Sequence, residues 1–208
     1  KMSPQSLADD LAYIHDLAEA GQRAPLLGGR FLAWWGGLTM LAYIGQYLIV
    51  TGISGLPPSA ISLMWIGFAV IGLAGYFLLV RTISCAKPGR GSVGNKVSAL
   101  VWKSAGMFLF VFFLGLTAKS FTQGSAASEF GGSVALVVGI YGMAQFVAGQ
   151  IANSRVLTFA GVLALLSTVP AILLTGSDLI WLLGAAVAGV TLLLPGIVLM
   201  RNEPSETV

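Results

Sequence analysis

Two side chains four residues apart, Tyr141 and Gln145, interrupt the otherwise apolar run GIYGMAQFVAGQIANSR at 139–155. At that spacing they share one face of a helix. Gln145 brings a carbonyl acceptor and an amide donor, Tyr141 a hydroxyl, and hydrocarbon satisfies none of these groups. Tyr43 and Tyr47 form a second such pair, with Gln46 between them and Thr39 one turn earlier. Ser167 and Thr168 lie in another apolar run, and Tyr76 and Gln150 add two further polar groups. Of these, Tyr43, Gln46, Tyr47, Tyr141, Gln145, Ser167 and Thr168 are candidates to line a narrow path for an uncharged solute. Pro170 and Pro195 can each open a backbone carbonyl towards it. The competing reading of each residue is hydrogen bonding between helices, worth about 0.6 kcal/mol per bond in lipid.

Other chemistry is poorly supplied. The apolar runs carry no Asp or Glu away from their ends, Glu129 and Asp178 lying in or beside loops. Proton pumps and ion-coupled carriers place such groups inside, because those groups do the coupling. One histidine (His15) and one cysteine (Cys85) assemble neither a hydrolytic pair nor a metal cluster, and no Gly-rich phosphate loop is present. An enzyme, a bound metal and a cofactor are therefore not expected. Cys85 is expected as a reduced thiol. His15 titrates near neutrality and reads as a pH sensor or an ordinary surface side chain.

The elements that position these residues follow from composition. Of 208 residues, 56% are hydrophobic and 9% charged, with mean hydropathy +0.88. Soluble domains carry about 25% charged residues. A helix needs about 20 apolar residues to cross a bilayer, and six stretches qualify: 31–50, 61–80, 100–121, 133–152, 156–175 and 179–200. Short turns after the first, fourth and fifth predict three successive hairpins. The longest connection, 81–99, is rich in Gly, Lys and Arg and is expected as a mobile cytoplasmic loop. Lys1 precedes Met2, and Met2 is expected to be the native start, with no cleaved signal peptide.

The net charge of +3 comes from dispersed basic residues, so a membrane explains it better than nucleic acid. Arg23, Arg30, Arg81, Lys87, Arg90, Lys96, Lys103, Arg155 and Arg201 fall on one side of the six spans and Lys119 on the other, which predicts both termini in the cytoplasm. Trp34, Trp35, Trp102, Trp65 and Trp181 read as interfacial belts. Glycines recur on the even spans: Gly67, Gly72 and Gly75; Gly139, Gly142 and Gly149; Gly184, Gly189 and Gly196. They are candidates for close helix packing. Before the first span, SLADDLAYIHDLAEAGQR places Leu7, Leu11, Ile14 and Ala18 on one stripe, with Ser6 as cap and Gly21 as stop. This amphipathic helix is acidic, which favours docking on a protein over lying on anionic lipid.

Tyr141-Gly142-Met143-Ala144-Gln145-Phe146-Val147-Ala148-Gly149 resembles the Y-G-x-A-Q-x-x-A-G segment of the acetate/succinate uptake channel family. Arg23-Ala24-Pro25-Leu26-Leu27-Gly28 is similar to that family's N-P-A-P-L-G entry motif, with Gln22 and Arg23 in place of its asparagine and first proline. The family carries the first segment in its second span, this chain in its fourth. The resemblance implies six spans, both termini inside, and a hexamer in which each protomer holds a pore. Urea and amide channels are similar in architecture.

The expected fold is all-α: a polytopic membrane protein with six transmembrane helices as three hairpins and an N-terminal amphipathic cytoplasmic helix. The expected units are residues 1–28, a transmembrane domain at 29–201 and a cytoplasmic tail at 202–208. The expected function is a passive channel or facilitator for a small neutral solute or weak acid, in a bacterial inner membrane and as a homo-oligomer. The alternative is an accessory or regulatory membrane protein that recruits a cytoplasmic partner through the acidic helix.

Overall fold

The computed structural model describes residues 12–13, 26–82, 92–123 and 127–203. Among these residues the regular structure is helical: α1 (Gly29–Val50), α2 (Ala60–Arg81), α3 (Val93–Gln123), α4 (Ala127–Ile151) and α5 (Arg155–Leu173). A last span is built in three parts, α6 (Leu179–Ala188), a π-helical turn (Gly189–Leu193) and α7 (Leu194–Arg201). The stripe at 7–18 with His15, the stretch holding Cys85, and the tail beyond 203 lie outside the described residues.

Five helical stretches are long and apolar enough to cross a membrane: Ala60–Arg81, Val93–Lys119, Phe130–Ile151, Arg155–Leu173 and Leu179–Arg201. Six were expected. The sixth, α1, has 22 residues, about 33 Å at 1.5 Å per residue, but Trp34, Trp35, Tyr43, Gln46 and Tyr47 dilute its apolar character. Its position explains the dilution. α1 packs along α2, α6, the π-helical turn and α7, so much of its surface meets protein.

Local chemistry sets the helix ends. After α1, Gly52 (φ 74°) and Gly55 (φ 67°) take left-handed conformations that an L side chain resists, and Pro57 and Pro58 end the turn. Between α4 and α5 the left-handed position is Asn153 (φ 49°), and Ser154 then caps α5 by accepting from Leu157 N. α3 begins at Val93, so the expected loop at 81–99 ends earlier than foreseen. Ser92 accepts from Asn95 N at this helix start.

The expected hairpins are present only in part. α2 packs chiefly on α1 and α3 chiefly on α4, but the most extensive contact joins α4 to α5, and α5 touches the last span only lightly. Two pairs of glycines seven residues apart explain the tight contacts, since that spacing returns to one helix face. Gly142 and Gly149 lie against Leu165, Gly161 and Thr158 of α5. Gly29 lies against Met200, Gly196 and Leu199 of the last span, and Gly36 against Leu192 and Leu193 of its π-helical turn.

One end of the bundle is tied by polar contacts. Arg30 pairs with Glu203 at 2.8 Å and donates to Thr82 Oγ1 at 2.8 Å, while Leu27 N donates to Asn95 Oδ1 at 2.9 Å. These bonds join the start of α1, the end of α2, the start of α3 and the end of α7. The antiparallel course of the helices puts Arg30, Arg81, Lys96, Arg155 and Arg201 at this end and Lys119 towards the other.

Candidate functional site

The interior has two apolar clusters with polar groups between them. One gathers Tyr43, Val134, Val138, Ala164, Ile180, Trp181, Ala185 and Val187. The other, nearer the basic end, gathers Leu26, Leu32, Ala148, Leu157, Ala188 and Leu192. On α4 the first cluster reaches Val138 and the second begins at Ala148. Tyr141 and Gln145 occupy the turns between.

Tyr141 is the junction of three helices. Thr39 of α1 lies beside it, and its ring meets Trp102 of α3 at a centroid distance of 6.0 Å. α1 and α4 make little backbone contact, so long side chains bridge the space. Gln145, one turn further, is 0% exposed, and neither Oε1 nor Nε2 has a partner among the described residues. Thr39 Oγ1, close to the Tyr141 hydroxyl, and Thr168 Oγ1 are buried without a well-formed hydrogen bond among the described residues. An unsatisfied buried polar group costs about 1–3 kcal/mol. In a charge-free interior these atoms stand out.

The last span is irregular near the same depth. Leu192 of the π-helical turn faces Gly36, and its neighbour Thr191 is fully buried, donating its hydroxyl to Val187 O at 2.7 Å. Pro195 has no N–H and its ring crowds the carbonyl of the preceding turn, and the wider π turn relieves that clash. Backbone carbonyls before Pro195 lose their usual donor there.

The other candidate residues are placed differently. Gln46 is 5% exposed, and its Oε1 accepts from Trp65 Nε1 of α2 at 2.8 Å, an interhelical bond. Tyr47 packs at the edge of the first cluster. Ser167 donates to Leu163 O within its own helix. Thr168 faces α4 at Gly139, nearer the far end of the bundle. Tyr76 and Gln150 are exposed, and Gln150 Nε2 lies 3.4 Å from Thr158 Oγ1. The structure thus places Thr39 beside Tyr141 with Gln145 one turn further along α4, keeps Tyr43 and Tyr47 in and against the first cluster, and leaves Gln46 bonded to Trp65, Ser167 to its own helix and Thr168 facing Gly139. Trp102, against the Tyr141 ring, and the fully buried Thr191 of the last span were not singled out as lining residues. Thr191 had one usable signal, a lone hydroxyl four residues before a proline.

The glycines divide into several kinds. Gly142, Gly149 and Gly196 meet the backbone of a neighbouring helix. Gly72 and Gly75 instead receive the rings of Trp35 and Trp34, and Trp34 Nε1 donates to Gly72 O at 3.2 Å. Gly184 accommodates the Tyr43 ring and Gly189 the Met40 sulfur, Gly139 has ordinary contact, and Gly67 faces open space. The tryptophan belt also needs correction. Trp181 is 6% exposed and packs on Tyr43 at 5.8 Å, because Gly184 and Ala185 leave room for large rings inside.

Comparison of the chain with family models, curated proteins and solved structures finds no match.

Proposed function

We propose that this protein is a passive channel or facilitator for a small neutral solute or weak acid, with its selective layer at Thr39, Tyr43, Tyr141 and Gln145. The observation that carries this reading is Gln145: a fully buried amide with no partner among the described residues, inside a bundle whose other buried polar side chains are few. An amide held this way loses stability unless it bonds something that is not part of the chain. The neighbouring irregular turn before Pro195 supports the reading, since broken helices commonly supply backbone groups to membrane transport sites. The resemblance of 141–149 to the acetate/succinate uptake channels points the same way, as does the lack of ionisable groups for coupling. The proposal includes a cell-membrane location, both termini in the cytoplasm, and assembly of several copies.

The second reading, an accessory membrane protein whose helices only pack, is favoured by one observation. The α4–α5 contact is closed by glycine against backbone, as in a purely structural pair. Liposome swelling with acetate, urea and glycerol separates the two. Flux above that of empty liposomes, lost in Gln145→Leu, supports the facilitator; absence of flux for all solutes leaves the accessory reading.

A further inference from the structure

The weak contact between α5 and the last span leaves a groove of about 370 Å³ on the outer surface of the bundle. Buried Ala160 and Pro195 line it, together with Val156, Phe159 and Leu163 on α5 and Val190, Leu194 and Val198 opposite. Phe159 is 71% exposed and Leu194 53%, so these side chains present apolar surface that nothing in the chain covers. The groove is not uniform along its length. Arg155, at the basic end of the bundle, also lines it, is exposed, and has no acidic partner among the described residues.

We infer that this groove binds one anionic phospholipid, with the phosphate on Arg155 and an acyl chain along the apolar wall up to Val190. The order of groups is the argument: a single cation at the aqueous end, then only hydrocarbon, matches the charge and polarity profile of a phospholipid in the leaflet facing the basic end. Arginine suits phosphate through paired N–H donors. The start of α5 adds to it. Ser154 Oγ accepts from Leu157 N, while the N–H groups of Arg155 and Val156 have no bond among the described residues and lie at the positive end of the helix. A second copy of the chain would complement the apolar wall but would bring no phosphate to Arg155. The site is independent of whether the protein transports anything.

The test titrates detergent-purified protein with phosphatidylglycerol, phosphatidylcholine of the same chain length, or inorganic phosphate, read by native mass spectrometry and thermal unfolding. One phosphatidylglycerol per chain is expected to be retained and to raise Tm, with phosphatidylcholine weaker and inorganic phosphate without effect. Arg155→Gln is expected to weaken phosphatidylglycerol about tenfold, the loss of one charge-assisted contact, and Arg155→Lys to restore part of it. Val190→Trp, which fills the groove, is expected to reduce both lipids. Equal retention of the two lipids, unchanged binding in Arg155→Gln, or a Tm rise from phosphate equal to that from phosphatidylglycerol overturns the proposal. So does a subunit contact, shown by cross-linking from Phe159→Cys, that persists when the lipid is added.

Discussion

Gln145 has no bond among the described residues to lose, and that decides how its substitution reads out. Leucine has nearly the same volume and no polar atom, so Gln145→Leu should leave Tm unchanged or raise it, by up to about 1–3 kcal/mol of stability. If the amide serves a solute, flux falls in the same variant. A clear loss of Tm would show that the amide is a structural bond. Gln46 makes the opposite case. Its Oε1 holds the Trp65 indole at 2.8 Å, so Gln46→Leu strands a donor and should cost about 1 kcal/mol. Flux should change little, and Trp65→Phe should not add to the loss in a double-mutant cycle. In the sequence these two glutamines look alike, each an amide in an apolar helix. Periodicity places them on faces but does not say which face meets an indole from another helix.

At the scale of the helix, what composition dictates was readable and what depends on pairing was not. Apolar length marked six spans, five of which have the length and composition to cross a membrane, and Gly, Asn and Pro marked the turns. Glycine content alone did not say what would fill each notch. Gly142 and Gly67 are both helix glycines in apolar runs, yet a Cβ at Gly142 would lie 2.7 Å from Leu165 N, while at Gly67 it would meet nothing within 4 Å. Gly142→Leu should therefore force α4 and α5 apart, at a cost of about 3 kcal/mol. Gly67→Ala should be neutral or stabilise by up to about 1 kcal/mol through helix propensity. Unfolding of both variants in one detergent measures the difference; similar losses would mean that the α4–α5 glycines are not what closes this pair. Seven-residue spacing was the missed signal, shared by Gly29 and Gly36 and by Gly142 and Gly149. It identifies a face, where simple abundance does not. The three-hairpin expectation is met only in part: α1 packs with α2 and α3 with α4, but glycine faces make α4 and α5, also joined by a short turn, the tightest pair.

The whole molecule places its charge asymmetrically, and the asymmetry predicts an orientation. Arg30, Arg81, Lys96, Arg155 and Arg201 lie at the end where Arg30 binds Glu203 and Thr82, and Lys119 lies towards the other. Lysine and arginine next to spans are retained in the cytoplasm, so that end should face inward. α1 is the element at issue, because its polar residues keep it from meeting the composition of a span while its length and central position suit one. Four single cysteines in a Cys85→Ser background answer both questions. Gly28→Cys lies just before α1, Ser54→Cys in the turn between α1 and α2, Ser177→Cys between α5 and α6, and Asn202→Cys just past α7, all at exposed positions. A membrane-impermeant thiol reagent added to whole cells should label positions 54 and 177 and spare 28 and 202 until the membrane is opened. Labelling of 28 together with 54 and 177 would mean that α1 does not cross. Labelling of 202 without 54 and 177 would invert the molecule, and the basic end would then face outward against the charge rule.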